Sequence, residues 1–481
     1  MRKFAKITLA LTVASAICGC HEIYDPATAG QESQQQDNQQ QDNSAQSDYT
    51  IWRFVHDCSQ YYYYWNSNVP RRVTYSDYDS PDSLFESWRY SKDHFSGVFS
   101  NYSDLLKKLD AEYKTDGLET ALYLYHDNTV IGLVEYVYPN SPAYKAGIKR
   151  GHVIMKVDGQ TLTTDNYQDL LDAESCKYEC GKMELQADNT MDVNDSQPET
   201  FTVQKTDMDI NPVQITKTFS QNGKKIGYLL YGAFTSSTTE IMDAISQLQN
   251  ENISDLILDL RFNGGGYVNT LDTLASMLVP SSLTGKTFLT VDYNSYLNRE
   301  YRNYYGRNFN KELFVDISPK LESLQTLYVL TSYSTGSASE ELISGLQPYM
   351  NVVLIGDDTY GKFTQNMLIN DQNDSGSDPD GIPYSEWGVY LSVGICKNSL
   401  GEMNFENGFE PDYYITDTYT EPLGSQNEAL TAKALELAAG GSLAKSTRQY
   451  PKFDAKRIGS HGKPDICNGA MIRTAFPMTN N

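Results

Sequence analysis

Residues 331–340 read TSYSTGSASE and follow the apolar run LQTLYVL at 324–330. That run has the composition of a buried strand, and SASEELISGLQPY, from Ser337 to Tyr349, has the pattern of a helix that starts abruptly after it. Ser337 and Glu340 stand in the S-x-x-E spacing of a capping box, in which the carboxylate reaches back to the helix entry. A reactive hydroxyl could use the same entry, because free N–H groups and the positive end of the helix point there. The stretch alone leaves cap and nucleophile both open.

The same alternation extends to either side. KKIGYLLYGAF from Lys224 reads as a buried strand, TTEIMDAISQLQN as an amphipathic helix, SDLILDLR (254–261) as a strand and NVVLIGD (351–357) as another. Strand, helix and strand at this spacing predict an α/β unit with a parallel or mixed sheet.

A serine nucleophile needs a base and an oxyanion hole. The six histidines, at 21, 56, 94, 126, 152 and 461, all fall outside the expected sheet, so a Ser-His-Asp triad would need one carried in from another domain. The surroundings of Ser337 also lack a G-x-S-x-G elbow. DDTYGKFTQ (357–365) instead places Lys362 just beyond the strand at 351–357. A lysine kept neutral by burial can accept a proton, although an isolated loop lysine is ordinarily a solvated charge. DLRFNGGGYV (259–268) puts three glycines after a buried strand, where backbone N–H groups can converge on an anion. The loop lacks the G-K-[ST] ending of a nucleotide-binding loop, and it could equally be a tight turn.

Together, STGSASE, DDTYGKF and LDLRFNGGG resemble the carboxyl-terminal processing proteases, the tail-specific serine peptidases of family S41. The resemblance covers about 50 to 450, including GFEPDYYI at 408–415. It implies a ClpP/crotonase-like protease core with an inserted PDZ-like domain and a small N-terminal helical domain. It implies Ser337 as nucleophile and Lys362, 25 residues later, as general base, with the N–H groups of Gly265 and Ala338 as oxyanion donors. The family often has glutamine four residues after the lysine. Here that place is Asn366 and Gln365 comes one residue early, so either could orient the amine. The implied reaction is endopeptidase hydrolysis near exposed C-termini through an acyl-enzyme, with no metal or cofactor. The alternative is a catalytically inactive lipoprotein that binds peptides through its PDZ-like domain.

That domain is expected over 123–207. NSPAYKAGIKRGHVIMKVDGQTL (140–162) predicts a short helix over 142–148, a turn at Gly151, a strand over 153–157 and a tight Asp158-Gly159 turn, with another helix from Tyr167. His152 stands where such domains usually have aspartate. The resemblance implies a sheet edge that takes an extended peptide with a free C-terminus; a rigid spacer is the other possibility.

The 481 residues carry a formal charge of −24, which argues against a nucleic-acid surface. MRKFAKITLALTVASAICGC has a basic start and a short apolar run, as export signals do. Its end resembles the lipobox of bacterial lipoproteins, which implies a signal peptide over 1–19, a lipidated Cys20 and anchoring to a membrane of the cell envelope, with the outer membrane expected. The glutamine-rich segment that follows Cys20, to residue 49, reads as a tether. An aromatic, helical domain is expected over 50–122, the protease core over 208–444 and a polar tail over 445–481. Cys176 and Cys180 could form a disulfide, remain thiols or, with further ligands, hold a metal.

Overall fold

The computed structural model describes residues 50–370, 377, 381–441, 452–463 and 471–473. The expected signal, lipidated Cys20 and tether lie outside those residues. Among the described residues no helix is long and apolar enough to cross a membrane. The chain divides into two compact units.

The smaller unit contains residues up to 102 and 367–392. Its helix Thr50–Tyr62 buries Ile51, Val55 and Cys58 at one-turn spacing. The helix Pro81–Glu86 begins at Ser80, whose hydroxyl accepts from Ser83 N–H at 3.0 Å. The strand Gly97–Phe99 pairs antiparallel with residues 388–390. The aromatic run packs within this unit: Tyr63 meets Phe85 edge to face, and Trp65 stacks on Tyr90 at 4.7 Å.

The larger unit holds the PDZ-like domain and the expected sheet. The sheet has six strands, ordered Val213–Gln221, Lys224–Tyr231, Asp255–Asp259, Thr326–Thr331, Asn351–Gly356 and Tyr413–Tyr414. Only the first pairing is antiparallel, so the sheet is mixed. The strand Asp255–Asp259 is buried throughout, which explains its unbroken apolar run. Ile226, Tyr228, Ile257, Leu330 and Ile355 line one shared core with Leu430 and Ala434 of the helix Ala429–Ala438.

The PDZ-like domain follows its predicted elements. Its helix is Pro142–Ala146, its central strand His152–Val157, and both Asp158 and Gly159 have positive φ in the turn that follows. The expected boundary at 123 cuts through the strand Leu118–Tyr125, which pairs with Val130–Val137 and belongs to this domain. His152 Nδ1 accepts the N–H of Lys149 at 3.1 Å, the role an aspartate would play there. Burial lowers its pKa, which keeps that nitrogen an acceptor. Cys176 and Cys180 are buried free thiols on one strand, Ser175–Leu185, so the disulfide alternative is set aside.

A buried ion network ties this domain to the sheet. Arg261, 2% exposed, grips Asp259 at 3.0 and 2.7 Å, Glu428 at 2.8 Å and Asp417 at 2.9 Å. Asp417 also pairs with Arg150 of the PDZ-like domain. Partial burial pushes the Asp417 carboxyl up, but Arg150 and Arg261 outweigh it and hold the group below the usual carboxylate range. A depressed folded pKa adds stability that is complete above about pH 4 and is lost as pH falls through the folded value. Thermal melts between about pH 7 and about pH 3 should show a decline that Asp417→Asn flattens; parallel declines would remove Asp417 from the acid response. Arg261→Ala should cost roughly 3–5 kcal/mol in the same melts, because it strands carboxylates in the interior.

Candidate active site

Ser337 sits at the entry of the helix Ala338–Leu346, directly after the strand Thr326–Thr331 and its turn. Its backbone has φ +60° and ψ −117°, a costly conformation for a residue with a side chain. Its side chain is fully buried, and among the described residues its hydroxyl has no hydrogen-bond partner. Such strain at a strand-to-helix turn is the local geometry that presents a nucleophilic serine.

The turn is stitched to the glycine loop by the hydroxyls that crowd TSYSTGSASE. Ser332 Oγ donates to the carbonyl of Arg261 at 2.6 Å, Thr335 Oγ1 to Leu260 at 2.8 Å and Ser339 Oγ to Asn263 at 3.0 Å. Gly336 N–H adds a bond to the Asn263 carbonyl at 3.1 Å. These bonds make the two loops one structure, although they lie some 70 residues apart in sequence.

Glu340 holds the third loop. Its Oε2 accepts the N–H of Ser337 and the N–H of Lys362, each at 2.9 Å. Its Oε1 accepts the N–H of Gly361 at 2.7 Å and the hydroxyl of Thr359 at 2.5 Å. Two nitrogens bound to one oxygen are held within about 6 Å of each other, so Glu340 fixes the backbone of Ser337 beside that of Lys362. Burial pushes the Glu340 carboxyl up to about 7, against four donors that favour the charged form. The predicted capping carboxylate is therefore also the clasp of the lysine loop. GFEPDYYI supports that loop from behind: Phe409 N–H donates to Thr359 Oγ1 at 2.7 Å.

Lys362 is fully buried and ranks among the largest side chains that are. Gln365 and Asn366, also fully buried, begin the strand Thr364–Asn370 and point to opposite faces. Asn366 Oδ1 accepts the hydroxyl of Thr364 at 3.3 Å. Ala338 opens the helix beside Ser337 and is buried. Gly265 lies in the glycine loop as expected, with φ +110°. Its N–H is not open to solvent or substrate here: it donates to Asn263 Oδ1 at 2.9 Å, a side chain turning back on its own backbone. At the next residue only glycine fits, because a Cβ on Gly266 would lie 2.0 Å from the carbonyl oxygen of Phe234.

The bonds through Glu340 and Asn263 thus link the segments that carry Gly265, Ser337, Ala338 and Lys362 within the larger unit, and Gln365 lies buried three residues beyond Lys362. Sequence reasoning missed the work of Asn263, Thr335, Thr359 and Ser339. The density of hydroxyls around Ser337 was the available signal for two of them. The PDZ-like domain shows a comparable self-engagement: the N–H groups of Gly117 and Leu118 donate to Thr115 Oγ1 and Asp116 Oδ1, each at 3.0 Å.

The architecture is that of a serine peptidase core with an attached PDZ domain. Residues 225–415 match the family model for peptidase family S41, residues 133–177 a PDZ domain and residues 51–97 the peptidase S41 N-terminal domain. The chain is 27% identical over 291 residues to the chloroplastic C-terminal processing peptidase of Tetradesmus obliquus, covering 58% of this chain and 57% of that protein. It is 29% identical over 231 residues to the carboxy-terminal processing protease CtpA of Bacillus subtilis (strain 168), covering 47% and 43%. The chain spans about half the length of the curated relatives it matches. Among solved structures, a Bacteroides fragilis protein described as an S41 protease superposes with a TM-score of 0.66 at 26% identity, over 80% of this chain and 97% of that one.

Glu340→Gln tests the clasp. An amide NH₂ would face backbone N–H donors, and buried donors would lose their acceptor at about 1–3 kcal/mol each. The expected outcome is a loss of thermal stability on that scale together with loss of hydrolysis. A variant as stable and as active as the parent would show that the clasp is dispensable.

Proposed function

We propose that this protein is a serine endopeptidase that cleaves peptide bonds of exported proteins near exposed C-termini with a Ser337–Lys362 dyad. The observation that carries the proposal is the strained, buried Ser337 with an unpartnered hydroxyl, clasped through Glu340 to the backbone of a fully buried lysine. The names of the similar proteins, processing peptidases for C-termini, support the substrate class.

The chemistry follows from the groups present. Burial disfavours an ammonium, so Lys362 can present a neutral amine to the Ser337 hydroxyl. As Oγ attacks the carbonyl carbon, its proton passes to Nζ and the carbonyl oxygen becomes an oxyanion. The N–H groups of Ala338 and Gly265 stabilise that oxyanion, and for Gly265 the anion replaces Asn263 Oδ1 as acceptor. A charged oxygen is the stronger acceptor, which favours the exchange. The Lys362 ammonium then protonates the leaving amine as the C–N bond breaks. Water attacks the ester, gives a proton to Lys362 and releases the acid, and Ser337 recovers its hydrogen.

Gln365 is our choice for the residue that orients the amine, since Asn366 already takes the Thr364 hydroxyl. The PDZ-like domain would receive the substrate's extended segment along a sheet edge. Lipidation of Cys20 would place the enzyme at the cell envelope, on the outer membrane.

The deciding measurement is hydrolysis of an unfolded protein such as casein. Ser337→Ala and Lys362→Ala should each lower kcat by at least ~10³-fold, and the double variant should be no worse than either, because the two act as a unit. Undiminished cleavage by either single variant would overturn the dyad.

A further inference from the structure

The tail beyond the last helix of the core was expected to be polar and carried no assigned role. Residues 455–461 form a strand, Ala455–His461, which pairs antiparallel with Leu118–Tyr125, from Ala455 opposite Tyr125 to His461 opposite Thr120. Without it, Leu118–Tyr125 would be an edge of the PDZ-like sheet. The tail therefore lies where an added peptide strand would lie, in the main-chain pairing that such edges offer. Just before it, Lys452–Phe453 pairs with residues 190–191 at the opposite edge.

The side-chain contacts of this segment are both polar and aromatic. Arg457 reaches Glu135 at 3.5 Å, His461 lies 3.7 Å from Asp172 at the end of the helix Tyr167–Asp172, and Phe453 packs edge to face on Tyr123 at 5.2 Å. No residue of 452–463 is buried, whereas residues 118–122 of the partner strand all are. An integral strand would bury one face. A strand held by its backbone and by half-buried rather than buried side chains is one that another peptide can replace.

The tail then approaches the catalytic loops. Gly462 passes so close to the start of the partner strand that a Cβ there would lie 1.7 Å from the Leu118 carbonyl oxygen, at φ +115°. Lys463 Nζ donates to the carbonyls of Gly232 and Phe262, at 3.0 and 2.8 Å, and Phe262 adjoins Asn263. Residues 471–472 pair in parallel with Gly266–Tyr267, next to the candidate oxyanion donor.

We propose that the chain's own tail is an intramolecular ligand of the PDZ-like edge, which an extended peptide must displace before it can bind there. The proposal rests on the peptide-receiving role proposed above for a sheet edge of this domain, and takes that edge to be Leu118–Tyr125. It explains why the site is closed: the edge is filled, and the same segment continues onto the glycine loop.

The test uses the full chain with Ser337→Ala, so that no peptide is cut, and measures anisotropy of a labelled peptide with the tail sequence 452–463. Its two companions carry Gly462→Val in addition, or end at residue 443. Both should bind the peptide at least tenfold more tightly than the full chain. Equal affinity for all three, or binding to none while circular dichroism shows them folded, would overturn the proposal. Should the shortened chain fail to fold, the Gly462→Val comparison decides alone, with equal affinity overturning and tighter binding supporting. Casein hydrolysis by the same chains with Ser337 restored separates the two proposals. Tail-dependent peptide binding without cleavage overturns only the peptidase; cleavage with affinity indifferent to the tail overturns only the tail's role.

Discussion

One buried carboxylate organises this protein's chemistry. Glu340 accepts four hydrogen bonds, and their donors come from the turn that carries Ser337 and from the loop that carries Lys362. Neither loop is regular structure, so neither has a helix or sheet ladder to hold it. A carboxylate is suited to the task because each oxygen can accept from two donors at once, and charge makes each bond stronger than a neutral one. Burial works against it, raising the carboxyl to about 7, so the four donors are what keep an ionisable group tolerable there.

A second buried group does the same at larger scale. Arg261 follows the strand Asp255–Asp259 and precedes the glycine loop, so the residue that anchors the sheet's charges also fixes where that loop begins. Its partner Asp417 is shared with Arg150. The glycine loop, the PDZ-like domain and the segment after Tyr413–Tyr414 therefore meet at one ion network. Removal of any one charge leaves the others in a medium that cannot solvate them.

Much of this was legible in the sequence, for physical reasons that differ by element. The core strands are continuous apolar runs because both faces are buried, and Asp255–Asp259 shows the pattern plainly. Ser337 and Lys362 could be picked out because a strand end, a glycine and a helix entry leave composition traces. Half of Glu340's role was legible as a capping box, since that half is local. The other half was not, because its bonds to Thr359, Gly361 and Lys362 depend on how two parallel strands lie beside each other. The N–H of Gly265 illustrates the same limit: three glycines announce a loop with free backbone donors, but not that Asn263 occupies one of them. The tail was least legible. Its strand pairs with residues more than three hundred positions away and buries no face, so it shows no hydrophobic alternation.

The energetics of the closed site point in one direction. A buried hydroxyl without a partner costs about 1–3 kcal/mol, and a strained backbone at the same residue costs a similar amount. Ser337 has both features, and the clasp through Glu340 is what makes the combination stable. On the other side of the site, Gly265 is satisfied by Asn263 at no such cost. Ser337 is thus held in a state that gains from a new partner, while the Gly265 N–H is held in one that loses nothing until a better acceptor arrives. In the reaction proposed above, the oxyanion formed as Ser337 attacks would be that acceptor. In that reaction binding energy along the peptide, rather than strain in the glycine loop, would drive the exchange at Gly265.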